Sequence, residues 1–261
     1  MARMDMQGGM GAEAWSLIPG DASGVLIVAD HASARVPADI DLGIGAEALT
    51  RHIAVDTGVA PLALALCATT GCAAILGGVS RLVCDCNREE DAPGLLPIES
   101  DGVEIPGNRL DAEGRAARIA RFYRPYHAAV AAAIRAERPT LLVSLHSFTP
   151  RLAARPDEER PWQIGVLYNR DDRAARIALP LLAAEGVVTG DNQPYSGRLL
   201  NATMNRHGEA NGLPYLGIEV RQDLIGDADG VARWATKLAP VIGAVRDALA
   251  QSGHDAEPTR A

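Results

Sequence analysis

The sequence predicts a single α/β domain in which a sheet containing parallel strands is covered by helices. Two observations predict it. Apolar runs of strand length alternate with alanine-rich stretches of helical character. Two of those runs also lead straight into histidine, and in an open α/β sheet ligand and catalytic groups sit where strands end.

In chain order the strands are expected at residues 24–29, 73–76, 81–85, 141–145, 163–168 and 214–220, each a short apolar run bounded by turn-forming residues. Between them, residues 46–67, 112–135, 172–185 and 230–250 have the composition of helices. Pro125 lacks an amide hydrogen and crowds the preceding turn, so it should kink or split the second of these. Residues 88–108 hold three prolines, three glycines and several carboxylates, too long a stretch for a plain connector, and are expected to form a functional loop or lid. The domain is expected to span residues 15–250, with flexible ends at 1–14 and 251–261.

Composition narrows the function. A chain of 261 residues, 48% of them hydrophobic, can bury a substantial core. The formal net charge of −8 argues against a nucleic-acid surface, so a small molecule is the expected partner. No apolar run reaches the roughly 18 to 20 residues of a membrane helix, and the start M-A-R-M-D-M-Q-G-G-M-G lacks a secretion pattern; the expectation is a cytoplasmic protein without membrane partners. Cys67, Cys72, Cys84 and Cys86 lie on segments expected to be buried, as reduced core thiols do.

The first strand, V-L-I-V-A-D-H-A-S, delivers Asp30 and His31, and the fourth, L-L-V-S-L-H-S, delivers His146 and Ser147. Two imidazoles converging from the ends of two parallel strands suit zinc, which commonly adds one carboxylate and keeps a position open for water. Asp30, adjacent to His31 on an extended strand, should point to the other face and serve behind the ligands. Asp56, in H-I-A-V-D-T-G, is therefore the expected third ligand.

Four further segments add candidates. S-R-L-V-C-D-C-N-R carries Arg81, Asn87 and Arg88, and a guanidinium fork beside an amide is a device for holding a carboxylate. L-G-I-E-V-R-Q-D-L-I inserts Glu219 into an apolar run, where a carboxylate is costly unless it is paired or working, and sets Arg221 on the same face. As a general base it would take a proton from water and pass it to a leaving amine. The turn-rich stretches D-N-Q-P-Y-S-G and R-H-G-E-A-N-G-L-P bring Asn192, Tyr195 and His207 toward the same rim.

With these stretches gathered, and with I-P-G-N, R-F-Y-R-P-Y-H and R-P-W-Q-I-G-V-L between them, the sequence resembles the N-formylglutamate amidohydrolase family over roughly residues 24–250. That family is similar to zinc carboxypeptidases and aspartoacylases. The resemblance implies a three-layer α/β/α domain with a mixed, mostly parallel sheet of the phosphorylase/hydrolase kind. It also implies a divalent metal, zinc, on His31 and His146, a carboxylate clamp of Asn87 and Arg88, Glu219 as base, and Arg81 polarising the scissile carbonyl. One departure stands out: the relatives place a metal-binding glutamate three residues after the first histidine, where this chain has Ala34.

The expectation is a metal-dependent hydrolase of a small anionic N-acyl amino acid such as N-formylglutamate. Two alternatives stay open: an amidase on a peptide-like or cell-wall substrate, with residues 88–108 as a groove wall, and a non-catalytic sensor of small acidic ligands in a pocket made metal-free by Ala34.

Overall fold

The structure is a computed structural model that describes residues 14–254. A seven-stranded sheet runs through its centre, built from β1 (Trp15–Ile18), β2 (Val25–Ala29), β3 (Ala73–Gly77), β6 (Leu141–Phe148), β7 (Ile164–Leu167), β8 (Thr189–Asp191) and β9 (Tyr215–Arg221). Their spatial order is β1-β3-β2-β6-β9-β7-β8. The central four, β3, β2, β6 and β9, are parallel, while β1 runs antiparallel to β3 and β7 antiparallel to β9, with β8 parallel to β7.

Strands buried on both faces need apolar residues at consecutive positions, and this is why β2 and β6 read as unbroken runs. Val25, Ile27 and Ala29 join one core layer with Leu141, Val143 and Leu145, whereas Leu26, Val28 and Leu142 face the other. The first layer is roofed by α1 (Val59–Thr70), α4 (Arg173–Ala184) and α6 (Ala228–His254). The second, which α2 (Ala112–Arg118) leads into, is roofed by α3 (Arg124–Glu137) and the short α5 (Ala202–His207), together with the chain from Val79 to Ile105. The fold is thus the three-layer α/β/α arrangement with a mixed, mostly parallel sheet.

Several expected elements differ. Residues 81–85 are a turn, held by Val83 N to Ser80 O at 2.8 Å and Leu82 N to Ser80 Oγ at 3.2 Å. Leu82, Val83 and Cys84 are buried there without joining a sheet, which is the ambiguity of any short apolar run. The expected helix 46–67 is a 3-10 turn at Ala46–Thr50 followed, after a bend, by α1. Gly58 makes the break: its φ of +81° is left-handed, and a Cβ there would stand 2.2 Å from Ile225 O. Helix 112–135 does split beside Pro125, through a π-helical turn at Ile119–Tyr123, and Pro125 then sits in the first turn of α3 where no amide hydrogen is needed.

Segment 88–108 is not a plain loop. It contains a 3-10 turn at Pro93–Leu95 and a two-stranded ribbon, β4 (Glu99–Ser100) with β5 (Val103–Glu104). Of the expected flexible ends, residues 1–13 and 255–261 lie outside the described residues; Ala14 is buried and α6 covers 251–254. The four cysteines are free and buried, and no described helix is long and apolar enough to cross a membrane.

Candidate active site

Parallel pairing of β2 with β6, and of β6 with β9, sends three chain segments out at one edge of the sheet. His31 follows β2, and His146 lies inside β6, which runs three residues beyond its expected end. The two rings meet edge to face with centroids 4.8 Å apart. The bend ahead of Gly58 carries Asp56 to them, anchored by Asp56 N donating to His31 O at 3.0 Å. Candidate ligand atoms of His31, Asp56 and His146 all lie within 4.8 Å of one another, and all three residues are buried.

Each imidazole has its two nitrogens assigned by what faces them. His31 Nε2 donates to Asp85 Oδ1 at 2.7 Å, and His146 Nε2 donates to Asp30 Oδ2 at 3.1 Å; a carboxylate can only accept, so both Nε2 atoms carry hydrogen. The two Nδ1 atoms then turn to one point, 3.4 Å and 2.8 Å from Asp56 Oδ2. Carboxylates that fix the far nitrogens of metal-binding histidines are the usual outer support of such sites. Asp30 is itself held by Thr203 Oγ1 at 2.7 Å, and Asp85 by Arg81 Nη2 at 2.8 Å.

The charges fit a dication. Asp30, Asp56 and Asp85 are buried, Arg81 is bonded to Asp56 and Asp85, and Arg88 Nε stands 3.5 Å from Asp85, so three carboxylates face two guanidiniums and negative charge remains to be neutralised. One divalent cation does so, or two protons on the imidazoles. In the metal-free chain burial and Arg81 push the His31 pKa down, but Asp85 and Asp56 outweigh them and hold it above its ordinary value. Burial likewise opposes charge on His146, and its bonds to Asp30 and Asp56 reverse this, holding it well above. Burial raises the Asp30 pKa, yet His146 brings it down to about 2. The group could therefore bind a metal ion, with neutral Nδ1 lone pairs replacing the protonated form.

Glu219 stands in register with His146 on the neighbouring strand and faces the same cavity, of about 320 Å³. Burial pushes its carboxyl pKa up to about 7, with His146 pulling the other way. Among the described residues it has no hydrogen-bonding partner, so it is a carboxyl group near neutrality and free to exchange a proton. Asn87 and Arg88 line the opposite wall. Asn87 Oδ1 accepts from Thr203 N at 3.1 Å, which turns its amide donor group away from that contact. Arg88 Nε is buried without a hydrogen bond, 3.5 Å from Asp85 Oδ2.

Comparison with known proteins bears on this arrangement. A family model described as N-formylglutamate amidohydrolase matches residues 23–226. The chain belongs to the N-formylglutamate amidohydrolase family. It is a hydrolase of an amide carbon–nitrogen bond. A solved gene product of Agrobacterium tumefaciens is similar with 30% identity and a TM-score of 0.84, over 92% of this chain and 97% of that one. An N-formylglutamate amidohydrolase from Ralstonia eutropha JMP134 shares the fold with a TM-score of 0.72 at 22% identity, over 92% of this chain and 99% of that one. No curated protein matches the sequence.

For this N-formylglutamate amidohydrolase family member, His31, Asp56, His146, Ser147, Arg81, Asn87, Arg88, Tyr195 and Glu219 line one cavity. Ser147 N donates to Asp56 Oδ2 at 3.3 Å and its hydroxyl donates to Thr57 O, so it supports the ligand loop. Arg81 spends its fork on Asp85 and reaches Asp56 Oδ1 at 3.3 Å, which ties it to the aspartates more than to a substrate carbonyl. Tyr195 OH accepts from Arg160 Nη1 at 3.1 Å. Three expected residues lie elsewhere. Arg221 is turned to Asp223 and Trp162 O, at the last pair of β9 with β6, opposite Phe148. Asn192, at a left-handed φ of 52°, spends its carbonyl on Tyr168 N and Gly197 N. His207 is stacked on His127, 2.9 Å from its Nδ1, in the layer behind the site.

Asp85 was not expected in the site, nor were His52 and Asp101, which join the lining from the bend before α1 and the ribbon tip. Asp85 carried the same signal as Glu219, a carboxylate inside an apolar run. His52 and Asp101 lay in segments whose path depends on the tertiary fold.

Proposed function

We propose that the protein hydrolyses the amide of a small N-acyl amino acid, an N-formyl amino acid in the first instance, releasing formate and the free amino acid. The observation that carries the reading is the aim of two imidazole Nδ1 atoms at Asp56 Oδ2, beside an unpaired carboxyl group poised near pH 7. A donor set of two neutral imidazoles and one carboxylate suits zinc, with open positions for water and carbonyl. A divalent cation held by His31, Asp56 and His146 would polarise the acyl carbonyl and make water acidic enough to be deprotonated at neutral pH.

The chain's own residues supply the rest. Glu219 takes the proton of the attacking water and returns it to the amine as the carbon–nitrogen bond breaks. Arg88 and the Asn87 amide hold the substrate carboxylate, fixing the acyl carbon above the ligand trio. Arg81, Asp85 and Asp30 keep the two imidazoles in the tautomer that presents Nδ1.

Two features favour this reading over its rivals. The cavity of about 320 Å³ is of small-molecule size and is walled by the β4–β5 ribbon, whose Asp101 is bonded to Ala153 N and Ala154 N, so the ribbon closes a pocket more than it flanks a peptide groove. Asp56 also supplies the carboxylate that Ala34 cannot. The test is formate release from N-formyl amino acids by zinc-loaded protein, set against the chelated sample and against short peptides. Equal rates with and without metal, or cleavage of peptides alone, would sink the proposal.

A further inference from the structure

We infer that the preferred substrate carries a single carboxylate and an uncharged side chain, so that N-formyl derivatives of neutral amino acids are hydrolysed better than N-formylglutamate. The inference rests on the proposed amide hydrolysis at this cavity and concerns what the cavity's charges leave unmatched.

A dicarboxylic substrate needs two cationic partners besides whatever binds its acyl oxygen, because a carboxylate brought out of water without one is costly. The cavity lining offers six basic side chains. His31 and His146 are turned upon Asp30, Asp56 and Asp85. Arg81 lies 2.8 Å from Asp85 and 3.3 Å from Asp56, so its charge is spent within the same aspartate cluster. Arg155 stands at the rim with its Nη1 2.6 Å from Glu158 Oε2. His52 faces Asp101 at 3.3 Å, and burial lowers its pKa, leaving it neutral at pH 7. What remains is Arg88, which touches the aspartate cluster only through Nε, 3.5 Å from Asp85 Oδ2, and makes no side-chain hydrogen bond among the described residues. One guanidinium with its fork still open matches one carboxylate.

The rest of the wall points the same way. Asp101 adds a negative charge: burial opposes it, but the amides of Ala153 and Ala154 hold its pKa below the ordinary range. Those two amides, with Arg51 at 3.7 Å, already answer that charge, so it does not call for a cationic side chain either. Ile53, Phe148, Leu152 and Leu200 supply apolar lining. A glutamate side chain would set its second carboxylate against Asp101 or Glu219 without a counter-ion, whereas a leucine, methionine or glutamine side chain meets apolar or neutral surface. Discrimination of this kind is built as much by rejecting the wrong charge as by attracting the right group.

The test uses the full chain loaded with zinc. Steady-state hydrolysis of N-formyl-L-leucine, N-formyl-L-glutamine and N-formyl-L-glutamate is compared at pH 7, and calorimetric binding of free leucine and glutamate is measured on the same sample. At least about a tenfold advantage in kcat/KM for the neutral substrates, carried mainly in KM, is expected. Equal or better hydrolysis of N-formylglutamate overturns the inference while leaving the amide hydrolysis intact. If none of the three is hydrolysed, the proposed function falls, and the inference is still decided by whether leucine or glutamate binds more tightly. Arg155→Met isolates the remaining rim cation. The substrate ratio should hold within about threefold, and a selective loss of N-formylglutamate turnover would show Arg155 to be a second carboxylate partner and overturn the inference.

Discussion

His146 and Glu219 are direct partners across the parallel pairing of β6 and β9, one offering Nδ1 to Asp56 and the other an unpaired carboxyl to the same cavity. A strand register is rigid, so the distance between the proposed ligand and the proposed base is set by the sheet and not by a loop. Glu219→Gln keeps the shape and removes the base. It should lower kcat by about 10² to 10⁴-fold while leaving zinc content by elemental analysis unchanged. Retained turnover would take Glu219 out of the reaction.

Asp85 and Asp30 act through the imidazoles that they hold at 2.7 and 3.1 Å. Asp85→Asn and Asp30→Asn should each weaken zinc binding by about 10 to 100-fold, measured by competition with a chelating dye. At saturating zinc much of kcat should return, because neither carboxylate touches substrate. Unchanged affinity would assign both to folding alone.

The buried pair His127 and His207 makes the fold sensitive to acid. Burial pushes each pKa down to about 4, against 6.5 in the unfolded chain. Below pH 6.5 the unfolded chain therefore takes up protons that the folded one refuses, and stability falls until about pH 4. Glu219, with its carboxyl raised by burial to about 7 from 4.5, works in the opposite direction over part of this window. Thermal melts of the parent protein and of His207→Asn should accordingly converge as pH drops from 6.5 to 4, the parent losing Tm faster. Parallel slopes would contradict the assignment.

Gly58 tests the path that delivers Asp56. A Cβ would meet Ile225 O at 2.2 Å, and the φ of +81° is strained for any other residue. Gly58→Ala should cost at least ~2 kcal/mol in denaturant unfolding and should weaken zinc binding as well. Loss of stability without loss of zinc would show that the bend can shift without moving its carboxylate.

The parts of this molecule that announce themselves locally were legible in the sequence. Runs such as L-L-V-S-L and V-L-I-V-A are buried on both faces, as unbroken apolar runs of strand length predict, and the carboxylate in L-G-I-E-V is conspicuous because burial makes it costly. Where tertiary packing decides, the reading failed. L-V-C-D-C has the composition of a strand and becomes a turn because Ser80 takes the amide of Leu82 on its hydroxyl and that of Val83 on its carbonyl, while Leu95 O takes that of Asp85. Arg221 shares a strand face with Glu219, yet lies past the cavity and finds Asp223 two residues on. Tyr195 and Asn192 belong to one turn-rich stretch, but only the tyrosine reaches the cavity, since the asparagine is consumed in shaping the turn.

The ribbon tip at Asp101 hangs on the amides of Ala153 and Ala154, whereas His146 and Glu219 sit on paired strands and Asp56 on a bend pressed against Ile225. The residues proposed to react and this part of the pocket wall are therefore carried by different segments. Descendants of this chain can remodel residues 99–104 and 149–155 to admit other acyl amino acids without disturbing the machinery beneath. A laboratory library confined to those two stretches is the economical route to new substrates.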